Sequence, residues 1–176
     1  MSFLDQWNAL PAEEATHAVL PCCGSRAWAR ALAKRRPLST LPELLAASDA
    51  AWWSLANSDW QEAFSSHPRI GEREATGAAS AASLLWSTGE QSAAQAGDAA
   101  VKQALADGNR AYEAHFGRTF IVRAAERSAE DILDLLQHRL RNTAEAELHE
   151  CAEQQREITH LRLRKWLLEL EAKGEQ

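Results

Sequence analysis

The stretch from Thr143 to about Ala172 places the strongest constraint on the fold, because it contains neither glycine nor proline. Both residues weaken or break helices, so their absence predicts one uninterrupted helix. At 1.5 Å per residue that helix is roughly 45 Å long, enough to cross a whole domain. A chain of 176 residues fits one domain with a real hydrophobic core. We therefore expect a single compact domain, residues 1–176.

The composition predicts that the other elements are helices as well. The chain is 45% hydrophobic and rich in Ala, Leu, Glu, Gln and Arg, with one Tyr. Thr119–Val122 is the only β-like run. One short strand has no partner, so we expect it to be an extended segment crossing the helical body. The predicted fold class is all-α, with about eight helices, a long C-terminal helix and one short extended segment.

Several positions predict where helices begin and end. Ser and Thr followed three residues later by Glu or Gln have capping-box spacing. The predicted starts with this spacing are Thr40, Ser58 and Ser87 (opening a short helix to Ala96). Ser128 is predicted to cap another helix, and Asn142 with Glu145 to open the last one. The earlier helices are predicted at 2–10, from Pro11 to about Leu20, and at 25–35, and another at 101–116 is stopped by Gly117.

Charge and cysteine usage argue against several classes of protein. The net charge is −6 without a dominant basic block, so nucleic acid is not an expected partner. No apolar run reaches transmembrane length, and residues 1–20 lack a basic start followed by a hydrophobic stretch. The three cysteines have no CxxC spacing, which favours reduced thiols. We expect a soluble cytoplasmic protein that does not bind membranes.

The stretch from Ser66 to Gly71 contains the first candidate for catalysis. Pro68 disfavours a helical conformation of the preceding residue, so His67 is predicted to sit on a rigid bend. Gly71 allows a positive φ or a close backbone approach. An imidazole held in this way suits general acid–base chemistry near neutral pH. The alternative is that the His-Pro pair only shapes a loop.

Two further residues are candidates with structural alternatives. Glu90 is a natural acid–base or hydrogen-bonding partner for His67, but it also has the position expected of a capping-box residue. Arg162 shares a helical stripe with Ile158 and Trp166, so it either extends to the surface or holds a buried anion. No metal site is expected, because Glu153 stands where the HExxH pattern needs its second histidine.

A set of short motifs in a fixed order resembles one known family, the OHCU decarboxylases (2-oxo-4-hydroxy-4-carboxy-5-ureidoimidazoline decarboxylases). The most specific motifs are His-Pro-Arg-Ile-Gly at 67–71 and the downstream Glu-Gln at 90–91. The supporting motifs are Cys-Cys-Gly-Ser-Arg-Ala-Trp-Ala at 22–29, Arg-Pro at 36–37, Asp-Trp-Gln-Glu-Ala-Phe at 59–64, Asn109 with Tyr112, Glu113, Phe116 and Gly117, Phe-Ile-Val at 120–122, Glu-Leu at 147–148, Ile-Thr at 158–159 and Leu-Arg-Leu at 161–163. The resemblance covers about residues 5–168.

This resemblance implies an all-helical, commonly dimeric lyase that needs no cofactor and acts on a small ureidoimidazoline. It would release CO₂ to give (S)-allantoin in urate degradation. His67, Glu90 and Arg162 match the family's catalytic positions. The matches to substrate-contacting positions are Pro68, Ser87, Gln91, Phe120, Ile121, Val122, Arg123 and Ala124. Arg123 departs from the small or apolar residue expected after Phe-Ile-Val.

Two other functions are compatible with the residues. One is a helical interaction module in which the exposed face of the last helix, with Trp166, binds a partner. The other keeps the fold but assigns another lyase or hydrolase of a cyclic ureide.

Overall fold

A computed structural model describes residues 3–72 and 74–174, and over these ranges the regular structure consists of ten helices without a strand. The helices are α1 (Phe3–Ala9), α2 (Ala12–Cys23), α3 (Arg26–Ala33), α4 (Leu41–Trp53), α5 (Asn57–Ser65), α6 (Ala81–Glu90), α7 (Ser92–Gln95), α8 (Ala99–Phe116), α9 (Ala129–Arg139) and α10 (Ala144–Gly174). The all-α prediction is confirmed, with ten helices where about eight were expected. The predicted long last helix is α10, with 31 residues.

Local capping explains most of the helix boundaries. Ser128 and Asp131 form a complete capping box at the start of α9, and Gly117 ends α8 with a φ of 67°. The prediction that Asn142 opens the last helix is wrong by one residue, because the hydroxyl of Thr143 accepts the amide of Ala146 at 3.2 Å. Ser58 likewise lies inside α5, which begins at Asn57.

The predicted end of the second helix near Leu20 is also wrong. Pro21 lies inside α2, which continues to Cys23. A proline removes one backbone donor, but one lost bond did not end the helix here. The helix ends where Gly24 takes up a φ of 86° and donates its amide to the Leu20 carbonyl at 2.8 Å.

The prediction that Ser87 opens a short helix reaching Ala96 is wrong as well. Ser80 caps α6, its hydroxyl accepting the amide of Ser83 at 3.1 Å. Ser87 and Glu90 consequently lie in the last turn of α6, and α7 follows as a separate helix. The structural alternative for Glu90, a capping-box residue, is removed by this placement.

The chain divides into two compact units. The first unit comprises residues 1–60 and 156–176, and the second comprises residues 61–155. Helices α5 and α10 each have residues in both units.

Tryptophans dominate the core of the first unit. The Trp7 and Trp166 rings meet edge to face with centroids 6.0 Å apart, and Trp28 is fully buried. Arg36 fixes the end of α1 by donating from Nη1 to the carbonyls of Trp7 and Leu10, at 2.7 and 2.8 Å. Trp166 is 8% exposed, so it is a core residue and does not offer the partner-binding face that the interaction-module alternative requires.

The core of the second unit is built on the apolar face of α8. The Tyr112 ring packs against Phe116 and Phe120, with centroid separations of 4.8 and 5.1 Å. Ile132 and Leu136 of α9 are fully buried. Phe120 belongs to the predicted extended segment, which has no regular secondary structure between residues 119 and 124.

In the part of the chain that the structure describes, no helix combines the length and the hydrophobicity required to span a bilayer.

Candidate active site

His67 lies in the bend that follows α5, as its sequence context predicts. The backbone amide of His67 still bonds to the Phe64 carbonyl at 3.2 Å, and the chain then turns away. Pro68 forms an isolated antiparallel bridge with Ala75. The His67 side chain is 6% exposed, so the imidazole is buried and not displayed on the surface.

Three side chains hold the residues that follow His67. Two are on α8, and the third belongs to Gln91, the cap residue of α6. Asn109 donates its amide to the Ile70 carbonyl at 3.1 Å. Glu113 accepts two hydrogen bonds from Arg69, at 2.6 Å from Nε and 2.9 Å from Nη2. Gln91 accepts the Gly71 amide at 3.0 Å through Oε1. We call residues 67–71, held in this way, the His67 turn.

These contacts explain why Asn109 and Glu113 accompany the His-Pro motif in the sequence. They are four residues apart on α8 and therefore lie on one face. Gly71 has a φ of 89°, a conformation that glycine adopts without a steric penalty. Its amide then reaches Gln91.

The last turn of α6 and its cap residue Gln91 contribute three of the predicted site residues. Ser87 and Gln91 are four residues apart, and they are 3% and 6% exposed. Glu90 is the final residue of α6 and is half-buried. Because Gln91 binds Gly71, this turn is fixed directly to the His67 turn.

The extended segment from Phe120 to Ala124 is anchored by two other elements. Arg139 of α9 donates to the Ile121 carbonyl at 2.6 Å and lies 4.7 Å from the Phe120 ring centroid. Gln154 of α10 accepts the Arg123 amide at 2.9 Å, so that amide is already engaged within the protein. The Arg123 side chain points to its local neighbour Glu126, at 3.3 Å.

A buried polar cluster supports this anchor. Glu147, which is fully buried, accepts from Arg139 Nε at 2.9 Å, and it also binds Tyr112 and Asn142. Burial lowers the pKa of Arg139, but the hydrogen bond and charge of Glu147 more than offset that effect and the pKa is raised. Burial raises the pKa values of Tyr112 and Cys151, which stay protonated at neutral pH. The cluster is therefore one buried ion pair enclosed by neutral donors.

Gln155 is a site residue that the sequence analysis missed. Its Oε1 lies 2.8 Å from Nε2 of His67, and the side chain is fully buried. The neighbouring Gln154 holds the extended segment, so two consecutive residues of α10 hold two parts of the site. A glutamine in a helix rich in Glu and Gln gives no local signal of burial.

Arg162 belongs to the first unit, whereas the other predicted site residues belong to the second. It lies on α10 and is 0% exposed. The alternative that its side chain extends along the helix to the surface is therefore wrong. A fully buried guanidinium is compatible with the other alternative, the holding of an anion.

Among the described residues, no group of three or more His, Cys, Asp and Glu side chains has the arrangement of a metal site. The second unit contains the buried imidazole of His67, the half-buried carboxylate of Glu90 next to Ser87 and Gln91, and the anchored extended segment. Such an arrangement can bind a small polar molecule and transfer a proton to or from it.

Comparisons with known proteins agree on one family. A model of the OHCU decarboxylase family matches residues 8–164. The uric acid degradation bifunctional protein TTL of Arabidopsis thaliana is 36% identical over 146 residues, which cover 82% of this chain and 44% of that protein. The chain therefore spans less than half the length of this curated relative.

Two solved structures are similar. A crystal structure of OHCU decarboxylase in the presence of (S)-allantoin has a TM-score of 0.73 and 33% identity, covering 84% of this chain and 95% of that one. A crystal structure of (S)-allantoin synthase has a TM-score of 0.71, covering 94% of this chain and 54% of that one. At 20% identity, the second match concerns the fold alone.

Proposed function

The chain belongs to the OHCU decarboxylase family, and from this membership we propose that it converts 2-oxo-4-hydroxy-4-carboxy-5-ureidoimidazoline to (S)-allantoin in urate degradation, without a cofactor. The observation that carries the proposal is the His67 turn. The family's histidine motif is folded into a buried bend and held by Asn109, Glu113 and Gln91.

The reaction requires an electron sink and a directed proton. When the bond between the ring carbon and the carboxylate breaks, CO₂ leaves and the electron pair moves into the adjacent ring C=N. The ring nitrogen that receives the electron pair takes up a proton from solvent. The neighbouring ring carbon then takes up a proton, and the hydroxyl loses its proton to become a carbonyl. A proton delivered to one face gives one enantiomer. A positioned acid–base group accelerates such a step by about 10²–10⁴-fold.

We assign His67 the transfer of the proton that delivers one enantiomer, with the imidazole oriented by Glu90 and by the substrate hydroxyl. Support comes from the burial of His67 and from the position of Glu90 beside Gln91, which binds the His67 turn. Arg162 is assigned to an anionic oxygen of the substrate, since a guanidinium binds carboxylates in a bidentate manner.

The remaining contacts are proposed from the same family positions. Pro68 follows His67 in the chain, and Ser87 and Gln91 lie at the end of α6. All three residues are buried. Phe120, Ile121, Val122, Arg123 and Ala124 would contact the substrate mainly through the backbone. The Arg123 amide already donates to Gln154, so donors from this segment must come from its other residues.

The test is circular dichroism of the product while fresh substrate, generated in situ from urate, decays with and without the protein. Uncatalysed decay gives racemic allantoin, so a growing optical signal reports catalysis. We expect His67→Asn to abolish the signal while the variant keeps its far-UV spectrum. Racemic product formed at the uncatalysed rate by the wild-type protein would rule out the proposed activity.

Three broader proposals accompany this one. A single domain over residues 1–176 is supported by the family match, which includes residues of both compact units. A homodimer follows from the family resemblance and is tested by light scattering coupled to size exclusion. A cytoplasmic location is supported by three buried cysteine thiols, which fit a reducing compartment.

A further inference from the structure

Gln155 places an amide oxygen against one nitrogen of the proposed catalytic imidazole. Oε1 of Gln155 and Nε2 of His67 are 2.8 Å apart, and the two residues are 0% and 6% exposed. An amide oxygen can only accept a hydrogen bond, so Nε2 must carry the proton. A neutral imidazole has one N–H, and its basic nitrogen is then Nδ1.

We propose that Gln155 is a positioning residue that keeps Nε2 of His67 protonated, so that Nδ1 is the atom through which the neutral imidazole takes up a proton from the substrate. This inference rests on the proposed function of His67.

Burial makes the tautomer preference strong. In the opposite tautomer, the unprotonated Nε2 would face a lone pair of the Gln155 oxygen. Because both groups are buried, no water could replace the lost hydrogen bond. Gln155 does not titrate, unlike the aspartate or glutamate that often holds a catalytic histidine. The contact from Gln155 to Nε2 therefore adds no negative charge of its own at the imidazole.

The position of Gln155 on α10 adds rigidity. Gln154, its neighbour in the chain, accepts the Arg123 amide of the extended segment. Since both glutamines project from one turn of a 31-residue helix, their spacing is set by helix geometry and not by a loop. His67 and the extended segment are thereby held in a fixed relation.

The tautomer can be measured directly on ¹⁵N-labelled protein without substrate. Long-range ¹H–¹⁵N correlation spectra separate protonated from unprotonated ring nitrogens, and the difference from His67→Asn assigns the signal among six histidines. At a pH where His67 is neutral, we expect Nε2 to be protonated and Nδ1 unprotonated in the wild type. A protonated Nδ1 would overturn the proposal.

Variants then connect the tautomer to catalysis. Gln155→Met keeps the size of the side chain but removes the acceptor, and we expect a mixture of tautomers with kcat reduced about tenfold and KM changed less. Gln155→Glu keeps an acceptor oxygen and should restore the Nε2–H signal. Gln154→Met makes the same chemical change one residue away and should leave the His67 signal unchanged.

The outcomes separate this inference from the proposed function. Unchanged tautomer and kcat in folded Gln155→Met would overturn the role of Gln155 while leaving the decarboxylase assignment in place. The expected tautomer in a wild-type protein without decarboxylase activity would overturn the proposed function and, with it, the catalytic role of Gln155.

Discussion

Glu113 and Arg69 form a paired hydrogen bond in which both carboxylate oxygens accept from one guanidinium, at 2.6 and 2.9 Å. Arg69 lies two residues after His67, and Glu113 lies in the last turn of α8. The hydrogen bonds to Glu113 raise the pKa of Arg69, so the guanidinium stays charged at any physiological pH. An 18-residue helix thus fixes the turn that carries the proposed catalytic residue.

The first prediction concerns this pair. Glu113→Gln weakens both bonds and loosens the His67 turn, so kcat/KM should fall roughly 10- to 100-fold. Because the side chains are 32% and 26% exposed, stability should fall by no more than about 1 kcal/mol. Enzyme kinetics and urea denaturation measure the two effects.

Glu72→Gln is the matched control. Glu72 also pairs with Arg69, at 3.1 Å, but it is 50% exposed. Its loss should change activity less than about twofold and stability by less than about 0.5 kcal/mol. Equal effects of the two variants on kcat/KM would contradict the role assigned to Glu113.

The second prediction compares Arg139, which pairs with a buried carboxylate, with Arg118, which has two buried nitrogens without a hydrogen-bond partner among the described residues. Arg139→Met leaves the buried carboxylate of Glu147 without its counter-ion and should destabilise the fold by about 3–5 kcal/mol. In Arg118, Nε and Nη1 are buried without a hydrogen-bond partner among the described residues. Arg118→Met should therefore be neutral or stabilise the protein by about 1 kcal/mol.

Urea denaturation of both methionine variants measures this difference. A comparable loss of stability in both variants would mean that the ion pair between Arg139 and Glu147 does not contribute specifically to the free energy of unfolding.

The third prediction distinguishes two serines of α6. Ser80→Ala removes the helix cap and should lower the free energy of unfolding by about 1 kcal/mol. Ser87→Ala lies in the last turn and should act mainly on KM. The paired assay is thermal unfolding together with steady-state kinetics. A larger stability loss from Ser87→Ala would restore the capping role that the sequence pattern suggested.

The fourth prediction concerns Arg162, which is fully buried. Arg162→Lys keeps the positive charge but loses the planar fork that binds an oxyanion at two points. We expect kcat/KM to fall by more than about tenfold while the variant remains folded. Near-wild-type turnover would count against a role in binding the substrate.

The fifth prediction concerns the thiols. Cys22, Cys23 and Cys151 are fully buried thiols, and burial raises the pKa of Cys151. We expect no reaction with a disulfide reagent in the native protein and complete reaction after unfolding. Rapid labelling of Cys151 under native conditions would contradict its burial.

The raised pKa of Cys151 also has a consequence for stability. The folded state binds the thiol proton more tightly than the unfolded state does. The stabilisation from this group is therefore present below the ordinary pKa of a thiol and is lost as the pH rises through the folded value.

Local patterns predicted the elements better than their exact starts. Gly117 and Ser128 were placed correctly because capping depends on a few neighbouring residues. The pattern Ser-x-x-Glu at Ser87 was misread because the same spacing also occurs inside a helix, where both side chains lie on one face. Only the cap at Ser80 decides between the two.

The sequence by itself determined the all-α class, the long last helix, the extended segment and the His-Pro motif, because helix propensity, periodicity and short motifs are local properties. Tertiary structure decided the burial of Arg162 and the partners of His67. Gln155 meets His67 across 88 positions of the chain, and no local pattern distinguishes the fully buried Gln155 from its half-buried neighbour Gln154. That distinction depends on which face of α10 is covered, and only the packing of distant segments sets it.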